Sequence, residues 1–206
     1  EAACTTMSSR TSVIGITGGI STGKSTFSKL LGEQTGAAFF DADVAARSLV
    51  DDDGEVRELL RAQFGAGIFS ATGDLNRAAL RAIVFAESEK KRALEQILHP
   101  RIRQQWSTAA NPSRQTGELF LADIPLLYET NGEILCDAVV VVACSQTLQQ
   151  ERLMNRARLP LAEATAMISA QMPLAQKIAR ADHLVWNNGP VAGLAAQAEM
   201  LAALWR

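Results

Sequence analysis

The chain has 206 residues, 48% hydrophobic and 20% charged, with a formal net charge of −2 and a pI near 5.8. This is an ordinary globular balance, long enough for one domain with a sizeable core. It offers no global basic field for nucleic acid or an anionic membrane, and neither is expected as a partner.

From the N-terminus, residues 1–11 read as a polar tail, disordered or left over from expression, with Met7 a candidate natural start. No charged segment leads into an apolar stretch, so no signal peptide is expected. No apolar run approaches the ~18 residues of a membrane helix. Val13 to Thr17 predicts a short buried strand, followed by a glycine-rich run and a helix from Lys24 to Leu31. Ala38 to Phe40 predicts a second strand ending at Asp41. Residues 54–110 are long and mostly helical, with apolar spacing at Leu59, Leu60 and Phe64 and again at Leu80, Ile83 and Val84. That is more than one crossover helix needs, so an inserted helical subdomain is expected there. Leu119 to Ala122, Ala138 to Ala143 and His183 to Trp186 predict three more strands. Gln146 to Ala179 is helical, broken by Pro160 and Pro173, and reads as a mobile flap with its lid over 146–172. Short apolar strands alternating with helices predict an α/β fold, a parallel sheet covered on both faces, in a single domain over 12–206. Tyr128 and Trp186 read as packing residues. Cys4, Cys136 and Cys144 have no metal-ligand spacing. Buried free thiols are expected, which suits a reducing cytoplasm.

Gly18-Gly19-Ile20-Ser21-Thr22-Gly23-Lys24-Ser25 matches G-x-x-x-x-G-K-[ST], with a strand before it and a helix after it. Glycines let the backbone curl so that successive N–H groups point at phosphate oxygens, and the helix N-terminus adds partial positive charge. Lys24 then bridges the β- and γ-phosphates, and Ser25 offers its hydroxyl to Mg²⁺. These eight residues and the adjoining Thr26 are the expected ATP site, in a three-layer P-loop core. The loop predicts nucleotide phosphate binding and leaves the reaction open: a kinase, a switch GTPase, a mechanical ATPase or a passive binder. The guanine-reading N-K-x-D is absent from the sequence. Asp41 and Asp43 follow the second strand, where strand C-termini line the ligand crevice. One carboxylate there takes the proton of an acceptor hydroxyl and another holds Mg²⁺ through water; the plainer alternative is a helix N-cap and first-turn acid. Asp123 ends the third strand as a Walker B acid does, or simply as a strand-ending residue. Arg152 and Arg156, four apart, share a helical face. They close over the transferring phosphoryl group, or are surface arginines.

The ordered blocks Gly15 to Ile20 with the loop, Asp41-Ala42-Asp43 with Ala46-Arg47, Leu75-Asn76-Arg77 with Leu80-Arg81, Ile97 to Arg103, and Asp123 to Glu129 continue through Gln149 with Arg152 and Arg156, Gln171-Met172, Lys177 with Ala181-Asp182, and Asn187-Asn188-Gly189. From Val13 to about Gly189 the chain resembles dephospho-coenzyme A kinases. The resemblance implies a helical coenzyme-binding insertion and a lid. It also implies Mg²⁺-dependent transfer of the ATP γ-phosphoryl group to the ribose 3′-hydroxyl of dephospho-coenzyme A. It makes Asp43 the general base; of the pair, Asp41 is then the carboxylate expected at the metal through water. Arg47, Arg77, Arg81, His99 and Arg101, with Asp123, Pro125 and Leu126, become the substrate side; Asn187 becomes an adenine-side residue. His99 before Pro100 reads equally as a helix-start histidine, and Asn187 as a turn residue. The family usually has Gly-Ser where this chain has Ser21-Thr22, so position 21 must tolerate a side chain. A cytoplasmic monomer or weak homo-oligomer is expected. The alternatives are another small-molecule or nucleoside monophosphate kinase, and a regulatory nucleotide binder without turnover.

Overall fold

A computed structural model describes residues 11–205; the expected tail over residues 1–10, Met7 and Cys4 lie outside them. In chain order the elements are β1 (Val13–Gly18), α1 (Lys24–Thr35), β2 (Ala38–Asp41), α2 (Ala42–Asp52), α3 (Gly54–Phe64), α4 (Arg77–Ala86), α5 (Ser88–Ala109), α6 (Asn111–Thr116), β3 (Phe120–Asp123), β4 (Ala138–Ala143), α7 (Gln146–Ala157), α8 (Leu161–Ser169), α9 (Leu174–Ala179), β5 (His183–Trp186) and α10 (Val191–Leu204). The described residues divide into two compact units: 11–40 with 110–205, and Asp41–Ala109.

In the first unit the five strands form one sheet in the order β2-β3-β1-β4-β5, with β1 parallel to both β3 and β4, and β4 parallel to β5. All six residues of β1 and all six of β4 are buried. That is why their sequences are continuous apolar runs rather than alternations. One face of the sheet carries Ile14, Ile16, Leu121, Val140, Val142 and Val185 against Phe27 and Leu31 of α1 and Leu194, Ala198 and Ala202 of α10. Small alanines on α10 let it sit close to α1. On the strand ends away from the phosphate loop, two aspartates receive backbone N–H groups. Asp137 accepts from the N–H groups of Ser12 and Val13, and Asp182 from that of Val139. Burial alone would raise the Asp137 carboxyl, but these bonds, the Ser12 hydroxyl and the Arg114 guanidinium hold it below its ordinary value. β5 is an edge strand, so Val185 is buried while Leu184 and Trp186 face outward; Trp186 is 46% exposed and is not the packing residue the sequence suggests.

The second unit is built of helices, and its core joins Leu49 and Val50 of α2, Val56 and Leu60 of α3, Ile68 of the short 3-10 turn after α3, and Leu80 of α4. Leu59, expected in that core, is exposed. Helix starts are set by Asp41, Asp53 and Asn76, whose side chains accept N–H groups of the first turns of α2, α3 and α4. Because the unit begins at Asp41, α2 belongs to it, ahead of the Gly54 boundary read from sequence. α5 runs through His99 and Pro100 without a break. His99 is therefore in a helix interior rather than at a helix start, and long-range packing overrides the proline's local preference.

Among the described residues, no helix is long and apolar enough to cross a membrane. Cys136 and Cys144 are free thiols, the first partly and the second fully buried. Burial pushes Cys136 up to about 12 and also raises Cys144.

Candidate active site

β1 ends at Gly18 and α1 begins at Lys24, so the glycine-rich run forms the turn between the parallel sheet and the helix N-terminus. The loop's carbonyls are turned toward protein donors. Gly18 O accepts from Lys177 Nζ at 3.3 Å, Gly19 O from the Thr22 hydroxyl at 2.8 Å, and Ile20 O from Gln149 Nε2 at 2.8 Å. Thr22 O accepts from Asn187 Nδ2 at 2.8 Å and Arg152 Nη1 at 3.4 Å. With the carbonyls occupied in this way, the N–H groups at the start of α1 are left to an anion. Gly23 has φ 93, and a Cβ there would collide with the Asn187 amide; both facts require glycine. Ser21 also sits in the left-handed region, at φ 59, and its buried Oγ meets no protein hydrogen-bond partner.

Lys24 forms an ion pair with Asp123, and the Asp123 side chain is only 2% exposed. Asp123 ends β3 beside Ile16 of β1, so the two strand ends bring the loop lysine and the acid together. The Thr17 hydroxyl donates to Pro125 O at 2.9 Å, fastening the segment after Asp123 to β1. Leu126 is half-buried, and its carbonyl accepts from the Thr130 hydroxyl. Ser25 and Thr26 are exposed on the first turn of α1. Arg152 is half-buried at the loop, while Arg156, one turn on, is exposed. Asn187 is buried as a brace on Thr22.

In the second unit Asp41 is the N-cap of α2: its Oδ1 accepts from the N–H groups of Asp43 at 2.8 Å and Val44 at 3.0 Å. The helix starts at Ala42, so Asp41 is extended and Asp43 helical, and the two carboxylates do not share an extended strand end. Asp43 and Arg47 are exposed, with Arg47 Nε bonded to Asp43 O at 3.0 Å. Arg77 reaches both carboxylate oxygens of Asp51, at 2.7 and 2.8 Å. Arg101 reaches Glu55 at 2.8 Å and Ile97 O at 3.0 Å. Arg81 is exposed on α4, and His99 is half-buried. Among the described residues no three His, Cys, Asp or Glu are grouped to hold a metal ion. The Ser25 hydroxyl, exposed on the first turn of α1, is a donor type that suits a Mg²⁺ held mainly by phosphates and water.

Residues 12–193 match the family model described as dephospho-CoA kinase. The chain belongs to the dephospho-CoA kinase family. A dephospho-CoA kinase of Anaeromyxobacter dehalogenans (strain 2CP-C) is 45% identical over 192 residues, 93% of this chain and 90% of that one. Among solved structures, TT1252 from Thermus thermophilus is 32% identical with a TM-score of 0.73, covering 95% of this chain and 98% of that one. The dephospho-CoA kinase from Campylobacter jejuni is 25% identical with a TM-score of 0.65, covering 94% and 96%. The expected α/β P-loop kinase core is thus the observed one.

Sequence reading gave no role to Gln149, Gln171 and Lys177, three side chains that hold this kinase's phosphate loop from outside, or to Glu129, which holds Lys177. Gln171 Oε1 accepts the Ile20 N–H at 3.0 Å, so with Gln149 it takes both backbone groups of Ile20. Their appearance in the ordered blocks was the available signal; nothing in their local spacing says what they touch.

Proposed function

We propose that this member of the dephospho-CoA kinase family moves the γ-phosphoryl group of ATP to the ribose 3′-hydroxyl of dephospho-CoA, giving CoA and ADP. The observation that carries this reading is the family match over residues 12–193, which runs through the helical unit as well as the P-loop core. A P-loop alone would leave the acceptor open.

In this mechanism the loop N–H groups and the α1 N-terminus bind the phosphates, and Lys24 bridges the β- and γ-phosphates. Asp43 takes the proton of the 3′-hydroxyl. The freed oxygen bonds to the γ-phosphorus as the bond to the β–γ bridging oxygen breaks, and the electron pair leaves with ADP. Ser25 would hold Mg²⁺, with the free oxygen of Asp41 acting through water; the ion supplies charge neutralisation on the phosphates. Arg152 and Arg156 stabilise the transferring group from the lid over 146–172. Arg47, Arg77, Arg81, His99 and Arg101 bind the acceptor, with Asp123, Pro125 and Leu126 completing the substrate side and Asn187 the adenine side. The exposed pairs Arg77–Asp51 and Arg101–Glu55 are weak enough to exchange for substrate phosphates.

The test is ADP release from ATP with dephospho-CoA, nucleoside monophosphates, shikimate or gluconate as acceptor. Turnover confined to dephospho-CoA is expected. Preferential turnover with another acceptor overturns the substrate assignment, and tight ATP binding without turnover on any of them overturns the kinase reading.

A further inference from the structure

Lys177 on α9 is 0% exposed, yet the phosphoryl-transfer steps above make no use of it. Its ammonium has three donors and meets three oxygens: Pro125 O at 2.9 Å, Glu129 Oε1 at 2.9 Å and Gly18 O at 3.3 Å. Burial pushes Lys177 below the ordinary lysine value; the Glu129 carboxylate opposes this, and the Lys24 ammonium adds to it. A buried ion pair holds a fold no better than well-packed apolar residues of the same volume. The arrangement therefore points to what the ammonium touches.

The two carbonyls belong to neighbouring strand ends. Gly18 is the last residue of β1 and the first of the phosphate loop; Pro125 lies just past Asp123, the last residue of β3. β1 and β3 run parallel, with Ile16 beside Asp123. One ammonium thus spans the chain that leads into Lys24 and the chain that leaves Asp123. Glu129 holds the ammonium and also accepts the Met172 N–H at 3.0 Å, next to Gln171 on Ile20. The same loop entry is fastened from β3, from the segment before α9 and from α9.

We propose that Lys177 is a positioning residue for phosphoryl transfer: it clamps the Gly18 and Pro125 carbonyls together and so sets the spacing of the phosphate loop against Asp123, with Glu129 fixing the ammonium. The turnover part rests on the kinase reading; the nucleotide-binding part does not.

The test compares the full chain with Lys177→Met and with the double variant Glu129→Met/Lys177→Met, which also removes the carboxylate that the single change leaves without its ammonium. Three quantities are measured: the melting temperature, Mg-ADP affinity by calorimetry, and kcat and KM for each substrate. The single variant is expected to melt lower than wild type and the double to regain most of that loss. Both are expected to bind Mg-ADP at least tenfold more weakly and to raise the KM for ATP similarly, while the KM for dephospho-CoA stays within about twofold. A double variant that melts like wild type and binds Mg-ADP within twofold of it makes the pair purely structural and overturns the proposal. So does a double variant that does not fold. If wild type proves inactive on dephospho-CoA while the double variant still loses ADP affinity, the acceptor assignment fails and the clamp stands.

Discussion

Replacing Ser21 with glycine should stabilise the protein. Ser21 sits at φ 59, which costs an L-residue about 1–2 kcal/mol. Its buried Oγ has no protein partner, and a desolvated hydroxyl of that kind costs about 1–3 kcal/mol. Glycine removes both terms and returns about 0.5–1 kcal/mol through the greater freedom of the unfolded chain. The net expectation is a gain of at least about 1 kcal/mol. For a chain of this size that is a rise in melting temperature of at least roughly 2–4 °C. Calorimetric melting of Ser21→Gly beside wild type reads it directly. Turnover should stay within a few fold, because Gly18 and Gly23 still shape the loop. A melting temperature at or below that of wild type refutes the strain argument. A loss of activity beyond about tenfold, on the order of 1.4 kcal/mol, means that the Ser21 hydroxyl acts on the phosphates; the thermal gain should then vanish in saturating Mg-ADP.

Lys24→Ala should cut kcat by about 10²-fold or more, and should also lower the melting temperature, because Asp123 is left buried without its ammonium; near-normal kcat in the folded variant would remove Lys24 from the mechanism. Asp43→Asn should lower kcat by roughly 10²–10⁴-fold with ADP affinity kept. Asp41→Asn, which retains a good N-cap, should instead raise the Mg²⁺ concentration for half-maximal rate, and full rescue of Asp43→Asn by excess Mg²⁺ would reverse the two roles. Arg156→Ala should lower kcat while sparing ATP affinity. Arg152→Ala also loses its bond to the loop and should raise the KM for ATP; normal kcat in both would show that the 146–172 segment is no catalytic lid. Tyr128 is the single tyrosine, and burial pushes its phenol up to about 12, with the Arg180 guanidinium opposing. This folded value lies above that of the unfolded chain, so the contribution is complete below about pH 10 and lost as pH rises through about 12. No phenolate absorbance should appear at about pH 10–11 until denaturant is added; native titration near 10 would contradict it.

The loop between β1 and α1 was legible because its glycines, lysine and serine are dictated by local backbone geometry and phosphate chemistry, and β4 because a run of valines buried on both faces admits few alternatives. The strand end at Asp41 was not. An acid that caps a helix and an acid that faces a metal are the same letter at the same place, and only the helical start at Ala42 shows the cap. Pro100 misleads for a related reason: helix-breaking is a local preference, and the packing around α5 overrides it. Trp186 looks like core until β5 proves to be an edge strand. Lys177, on a six-residue helix, carries no local mark of complete burial, because its partners lie 48 or more positions away in the chain.

The central claim is that the γ-phosphoryl group of ATP ends on the ribose 3′-oxygen of dephospho-CoA. Phosphorus NMR of the wild-type reaction with Mg-ATP and dephospho-CoA tests it most directly. The account predicts one new phosphomonoester resonance, coupled to the ribose 3′ proton and growing in step with ADP. Release of the group as inorganic phosphate, or a monoester at another oxygen, would contradict it.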